Sequence, residues 1–365
     1  MSGRSPEAVP AAPPRARRRR RWRRLLLGAV ALFVLLELAV RVVISLPPWS
    51  RPFFAAPRHI VYPELAAAEE LPPAGEAATI EVLVLGGSTL DPVWSDVALR
   101  LQRKLQEALA PAPVLVHDLA RAGQTTLDTL YKLRHLQERH FDAIVVYDGI
   151  NDVRFNNCPP ELFRRDYGQL VWYRVLAGFE PSPDEPLAEP PRSPFMLPTA
   201  LRHLGLSIAL RCGWLHAMTP GMLTADWLQW GADLRTRDTY AANLRGVLAL
   251  ARQSDTPLVL PAFATYVVPD YERTAFEAGR LDYAPGGLPI ERWGAVQDVL
   301  DGLRAHDQIV RALAGEPGVL LVDTSAVSAE GGRAFVDVCH FTARGSAIFA
   351  TLLADALQPL LARED

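Results

Sequence analysis

Residues 79–89 read Thr-Ile-Glu-Val-Leu-Val-Leu-Gly-Gly-Ser-Thr. The first seven form a short apolar run rich in β-branched residues, the pattern of a strand buried on both faces of a parallel sheet. Two glycines end the run. Asp91-Pro92 follows, and Asp at an N-cap with Pro at N1 predicts a helix start. Val93, Val97, Leu101, Leu105 and Leu109 then recur every fourth residue, one apolar stripe along a helix of about 18 residues. A strand, a glycine turn and a helix place Ser88 at the carboxyl edge of a sheet. Open α/β folds bind ligands at that edge.

The same rhythm repeats outward. Apolar runs at 114–119, 143–147, 258–262 and 319–323 read as further strands. Helical patterns read at roughly 126–139, 239–253, 291–314 and 342–361. Strands alternating with helices imply right-handed βαβ units, hence an α/β domain with a central parallel sheet covered on both faces, over about 79–361. One segment, about 154–237, breaks the rhythm. It is rich in Pro, holds Trp172, Trp214, Trp227 and Trp230, and shows no strand of the main sheet. It reads as an insertion with short helices around 199–217 and 221–231. It is either a lid or acceptor-binding surface over the site, or a segment packed on itself or on a membrane.

The chain of 365 residues is long enough for one large domain with a well-buried core. Residues 1–24 hold nine Arg and one Glu, a charge of +8; the total of −3 therefore leaves −11 on the remainder. An acidic main domain argues against nucleic acid as a partner. Cys158, Cys212 and Cys339 are too few and too scattered for a disulfide framework or a zinc site, although Cys158 and Cys212 could pair in an oxidising compartment.

Leu25 to Leu46 is a run of mostly Leu, Val and Ala, and a helix of that length spans about 33 Å, a bilayer core. The Arg cluster before it puts the 1–24 tail in the cytoplasm and the main domain on the extracytoplasmic side, by the positive-inside rule. The run exceeds a usual signal-peptide h-region and no small-x-small cleavage site is evident, so a permanent single-pass anchor is expected. Glu37 and Arg41 lie four apart within it, on one helix face, either as an ion pair or as a contact with a membrane partner. Residues 47–78, rich in Pro and Ala, read as a linker with some local structure.

Three further pieces carry chemistry. Gly123 follows the second strand, Gly149-Ile-Asn-Asp152 the third, and Asp337-Val-Cys-His340 precedes the last helix. Acyl transfer needs a nucleophile, a base, an orienter for that base, and donors aimed at the developing oxyanion. Ser88 can supply the nucleophile and His340 the base. Asp337, three residues before it, can fix its tautomer. The backbone N–H groups of Ser88 and Gly123 and the Asn151 amide can converge on one carbonyl oxygen. Asp152 reads as a turn or N-cap residue. The other histidines, His117, His135 and His140 among them, lie on ordinary strand or helix patterns.

Together Gly86–Thr89, Gly123, Gly149–Asp152 and Asp337–His340 resemble the four blocks of the SGNH (GDSL-type) hydrolase superfamily. The resemblance covers about 79–360 without the insertion. It implies a three-layer α/β/α, flavodoxin-like fold, no metal or cofactor, and ester hydrolysis or acyl transfer. One position departs from the pattern. Gly87 stands where the family usually has Asp, which puts site rigidity and substrate preference in question. The Gly-x-Ser-x-Gly elbow of the α/β-hydrolases fits less well, since Leu90 takes the place of its last Gly. The expected function is a membrane-anchored serine esterase acting on an envelope or extracellular ester, an acylated glycan being one candidate substrate. Two alternatives stand beside it: an acyltransferase modifying a cell-surface polysaccharide, and a catalytically silent binding protein on the same fold.

Overall fold

The structure, a computed structural model, describes residues 14–47, 59, 61–69, 79–176, 195–218 and 221–362. The first part of the basic tail, much of the linker and the middle of the insertion lie outside the described residues. Five strands form one parallel sheet: β1 (Ile80–Gly86), β2 (Val114–Asp118), β3 (Ala143–Tyr147), β4 (Leu258–Pro261) and β5 (Val319–Val322). Their order is β2-β1-β3-β4-β5. The chain runs from β1 outward to β2 and returns to the other side of β1 with β3. This reversal opens a crevice beyond the carboxyl ends of β1 and β3.

The helices are α1 (Pro14–Ser45), α2 (Pro63–Glu69), α3 (Val97–Ala108), α4 (Thr126–His135), α5 (Leu197–Arg211), α6 (Thr236–Gln253), α7 (Val296–Leu313) and α8 (Ala343–Leu361), with shorter turns between them. Side chains alternate across a strand. Val82 and Val84 of β1 therefore pack with Leu101, Leu105 and the α8 residues Phe349 and Leu353 on one face. Leu83 and Leu85 pack with Leu127, Leu130, Leu244 and Val247 of α4 and α6 on the other. The result is a three-layer α/β/α domain, as the alternation of runs implies.

Several boundaries differ from the sequence expectation. Helix α3 starts at Val97, not at Pro92, and Asp96 rather than Asp91 sits at its N-cap. Asp91 is engaged elsewhere: its carboxylate accepts from Val93 N (2.9 Å) and Ala122 N (2.7 Å). Its carbonyl accepts from Trp94 N and Ser95 N. Those bonds curl 92–95 into a turn and leave Val93 exposed. Helix α7 starts at Val296, because 290–292 form a 3-10 turn. Helix α4 stops at His135. In the insertion the helices are shorter than expected, Leu197–Arg211 and Ala225–Leu228. The three cysteines are free, so Cys158 and Cys212 do not pair.

The largest difference lies in the expected linker. Tyr62 and Leu65 are fully buried and belong to the same core as Leu83, Leu85 and Leu127. The Tyr62 hydroxyl donates to Asp128 Oδ1 at 2.9 Å. This part of the segment is a piece of the domain. A short Ala-rich helix carries too few apolar residues to stand out from a tether in sequence. Upstream, α1 is long and apolar enough to cross a membrane by length and composition. Most of its described side chains are exposed or partly exposed, and among them Glu37 is the buried one.

Candidate active site

Ser88 lies two residues beyond the end of β1, Gly123 five beyond β2, and Asn151 four beyond β3. All three therefore reach the crevice where the sheet order reverses. The fourth element comes from the other end of the chain. Thr342 caps α8 by accepting from Gly345 N, and His340 sits just ahead of that cap. An isolated bridge between Phe335 and Phe341 closes the 335–341 loop. Val336 N also donates to the His340 carbonyl. This small closed loop turns Asp337 and His340 toward each other.

The resulting hydrogen bonds are short. Ser88 Oγ is 2.7 Å from His340 Nε2, and His340 Nδ1 is 2.7 Å from Asp337 Oδ2. Asp337 Oδ1 accepts from the backbone N–H groups of Cys339 and His340, and Oδ2 also accepts from Leu288 N. All three side chains are buried. Burial raises the pKa of the Asp337 carboxyl, but the His340 bond and charge and the backbone N–H groups of Cys339 and His340 outweigh it and hold the group below the ordinary carboxylate value. Cys339 lies beside the pair, 3.7 Å from His340 Nδ1. Burial and then the Asp337 charge push its pKa well above the usual value, so it remains a thiol.

Two tryptophans flank the imidazole, and the sequence reading did not single them out. The Trp94 ring stacks on His340 at 5.0 Å, with 26° between planes; Trp293 lies at 5.9 Å. Trp94 arrives there through the Asp91 turn that displaces the start of α3. Trp293 also donates from Nε1 to Asn151 Oδ1 at 3.2 Å, while Asn151 Nδ2 donates to the Gln124 carbonyl at 2.8 Å. Both ends of the amide are thereby fixed, and the second N–H of Nδ2 is left for another acceptor.

The loop bearing Gly123 is braced from below. Gly123 has φ +80°, a conformation that disfavours any side chain, although a Cβ there would meet nothing within 4 Å. The space in front of it belongs to a cavity of about 80 Å³, lined by Ser88, Gly123, Asn151 and His340 together with Trp94 and Trp293. Ala122 N is tied to Asp91, as noted above. Gln124 donates from Nε2 to Glu64 Oε1, and Lys132 Nζ contacts the Gln124 side chain. Glu64 and Lys132 form a buried ion pair of 2.5 Å. A residue of the expected linker thus holds up the loop that bears Gly123.

Asp152 does not cap its own turn. It is fully buried and accepts from Thr126 N and Oγ1 and from Tyr167 OH. It pins the start of α4 under the site, and burial pushes its pKa up to about 7. His117 pairs with Glu81 at 2.9 Å, away from the site.

Gly87, where the resemblance leads one to expect Asp, is closely approached by Asn151. A Cβ built there would lie 2.8 Å from Asn151 Nδ2 and 3.2 Å from the Gln124 carbonyl oxygen. In this chain the Asn151 amide occupies the room that a side chain at 87 would need.

No family model matches the chain, and no curated protein matches it. Among solved structures it is similar to a GDSL-like lipase from Bacteroides thetaiotaomicron, at 13% identity over 83% of this chain and 96% of that one, with a TM-score of 0.42. It is also similar to a putative acylhydrolase from Bacteroides fragilis, at 13% identity over 85% and 99%, TM-score 0.41. A third is an acetylxylan esterase from Geobacillus stearothermophilus, at 15% identity over 78% and 97%, TM-score 0.39. At these values the likenesses carry no argument about chemistry, which rests on the geometry of this chain.

Proposed function

We propose that the chain is a serine ester hydrolase of the SGNH type, acting on a short-chain ester. The observation that carries this reading is the hydrogen-bonded line Ser88–His340–Asp337 with both bonds at 2.7 Å. Gly123 and Asn151 line the same cavity. His340 Nε2 is within reach of the Ser88 proton, and Asp337 fixes the tautomer that leaves Nε2 free to take it.

In the proposed reaction Ser88 Oγ attacks the ester carbonyl and its proton passes to His340. The backbone N–H groups of Ser88 and Gly123 and the free N–H of Asn151 receive the oxyanion. His340 then protonates the departing alkoxide and the acyl group stays on Ser88. A water molecule, deprotonated by His340, attacks the acyl carbon and releases the acid, and the proton returns to Ser88. Trp94 and Trp293 pack against the imidazole and hold its orientation through both halves. The small cavity suits a short acyl group such as acetyl.

The site is read as tethered to a membrane through 25–46, on the extracytoplasmic side. Support for a retained anchor comes from Glu37. Its carboxylate pairs with Arg41 at 2.8 Å and accepts from Met196 N and Leu197 N at the start of α5. Glu37 lies within the proposed span, so this contact draws the start of α5 to the membrane. The test of the activity is hydrolysis of 4-nitrophenyl acetate by detergent-solubilised full-length protein. Ser88→Ala is expected to remove the enzymatic rate; retention of that rate would overturn the reading.

A further inference from the structure

Two arginines line the cavity that holds Ser88, Arg154 and Arg292, and among the described residues no Asp or Glu lines it. Arg154 follows the turn that carries Asn151, so the third sheet loop supplies both an oxyanion donor and a cation. Its Nη2 donates to the Gly221 carbonyl at 2.6 Å, which fixes the plane of the group. Arg292 belongs to the 3-10 turn Ile290–Arg292, next to the Trp293 that holds Asn151. Among the described residues no carboxylate lies within ion-pair distance of Arg292.

Two like charges facing one small cavity work against each other. Burial, and then the charge of Arg292, lower the pKa of Arg154 to about 10. The oxyanion does not require them, since Ser88, Gly123 and Asn151 already supply donors. The chain beyond residue 24 carries a net negative charge, so the pair does not reflect a generally basic domain. Guanidinium forks match carboxylate, phosphate and sulfate oxygens in geometry and charge.

We propose that Arg154 and Arg292 form an anion subsite beside Ser88, and that the substrate is an ester bearing a carboxylate, phosphate or sulfate close to the scissile bond. This rests on the serine-esterase reading. The subsite acts in binding, because the net negative charge of the domain gives no long-range attraction for anions. Its loss therefore raises KM for an anionic ester more than it lowers kcat.

The test compares three esters on the full-length protein: 4-nitrophenyl acetate, which is neutral, 4-nitrophenyl hemisuccinate, with a carboxylate on the acyl side, and 4-acetoxybenzenesulfonate, with an anion on the alcohol side. At least one anionic ester is expected to exceed its neutral counterpart in kcat/KM by about tenfold, after correction for leaving-group acidity. That ratio is expected to collapse in Arg292→Gln, mainly through KM, and to survive in large part in Arg292→Lys. Arg154→Gln provides an independent variant should Arg292→Gln disturb Trp293. No preference for either anionic ester, or a preference that persists in both Gln variants, overturns the subsite. Loss of the esterase reading has a different signature: no turnover of the neutral ester and no reaction of Ser88 with a fluorophosphonate.

Discussion

Gly87 and Asn151 are in such close approach that a single methyl group at 87 would stand 2.8 Å from the Asn151 amide nitrogen. The same amide is held at its two ends by Gln124 and Trp293. A side chain at 87 must push it off the line on which an oxyanion would form. Gly87→Ala is therefore expected to lower kcat for 4-nitrophenyl acetate by about 10- to 100-fold, part of what one oxyanion donor supplies. KM should change little, and Gly87→Asp should be at least as damaging. Wild-type kcat in Gly87→Ala would show that Asn151 has room to yield.

The domain begins before its first strand. A chain starting at Thr79 lacks Tyr62, Leu65 and Glu64, and it exposes the core face formed by Leu83, Leu85 and Leu127. Leu65→Ala alone should cost about 2–5 kcal/mol, as for other fully buried leucines. Urea unfolding of chains starting at 48 and at 79 tests this. The longer one should unfold cooperatively and hydrolyse ester. Equal stability of the two would remove 61–69 from the domain.

Glu37 should order the insertion. Its carboxylate takes both leading N–H groups of α5, a stabilising position for an anion at a helix start. In detergent-solubilised full-length protein, Glu37→Ala is expected to speed amide hydrogen exchange at Met196–Ala200. Leu248–Ala251 in the core of α6 serves as the reference. Unchanged exchange at 196–200 would mean that other contacts hold this end of α5.

Acid stability should depend on His306. The ring is fully buried, stacked on Tyr240 at 4.1 Å and within 3.1 Å of Thr236 Oγ1. Burial lowers its pKa from 6.5 to about 3. Between those values the unfolded chain binds the proton that the folded chain excludes. The stability due to a neutral His306 is therefore complete above pH 6.5 and is lost as pH falls toward 3. Asp152, with its raised pKa of about 7, works in the opposite direction: folding favours its protonated form, and that contribution fades as pH rises from 3.8 to 7. His306→Gln should flatten the acid side of the stability profile, measured by urea unfolding between pH 4 and 7. The same slope in the variant would assign the acid sensitivity to other groups.

The strands were legible in the sequence because each is an unbroken apolar run, and β1, β2, β3, β4 and β5 all fall within a residue of their expected ends. Ser88, Gly123 and Asn151 come to one cavity for a related reason: a parallel sheet sends every strand's carboxyl end to one edge, whereas His340 reaches that cavity on the closed loop ahead of α8. What sequence could not convey was contact across the fold. Asp91 has the composition of a helix cap, yet its carboxylate serves Ala122 in another loop. The run Pro63–Glu69 has the composition of a tether, yet Glu64 is committed to Lys132 and Gln124. Trp293 sits in what read as the start of a long helix. Only the 3-10 turn ahead of α7 brings its indole to Asn151 and Arg292 to the cavity.

The most direct measurement is the site of covalent modification by a fluorophosphonate, mapped by peptide mass spectrometry on the folded full-length protein. A single adduct on Ser88 is predicted, absent in Ser88→Ala and strongly slowed in His340→Ala, where the base that takes its proton is missing. An adduct on a different serine, or no adduct on folded protein that still cleaves 4-nitrophenyl acetate, would contradict the assignment of Ser88 as nucleophile.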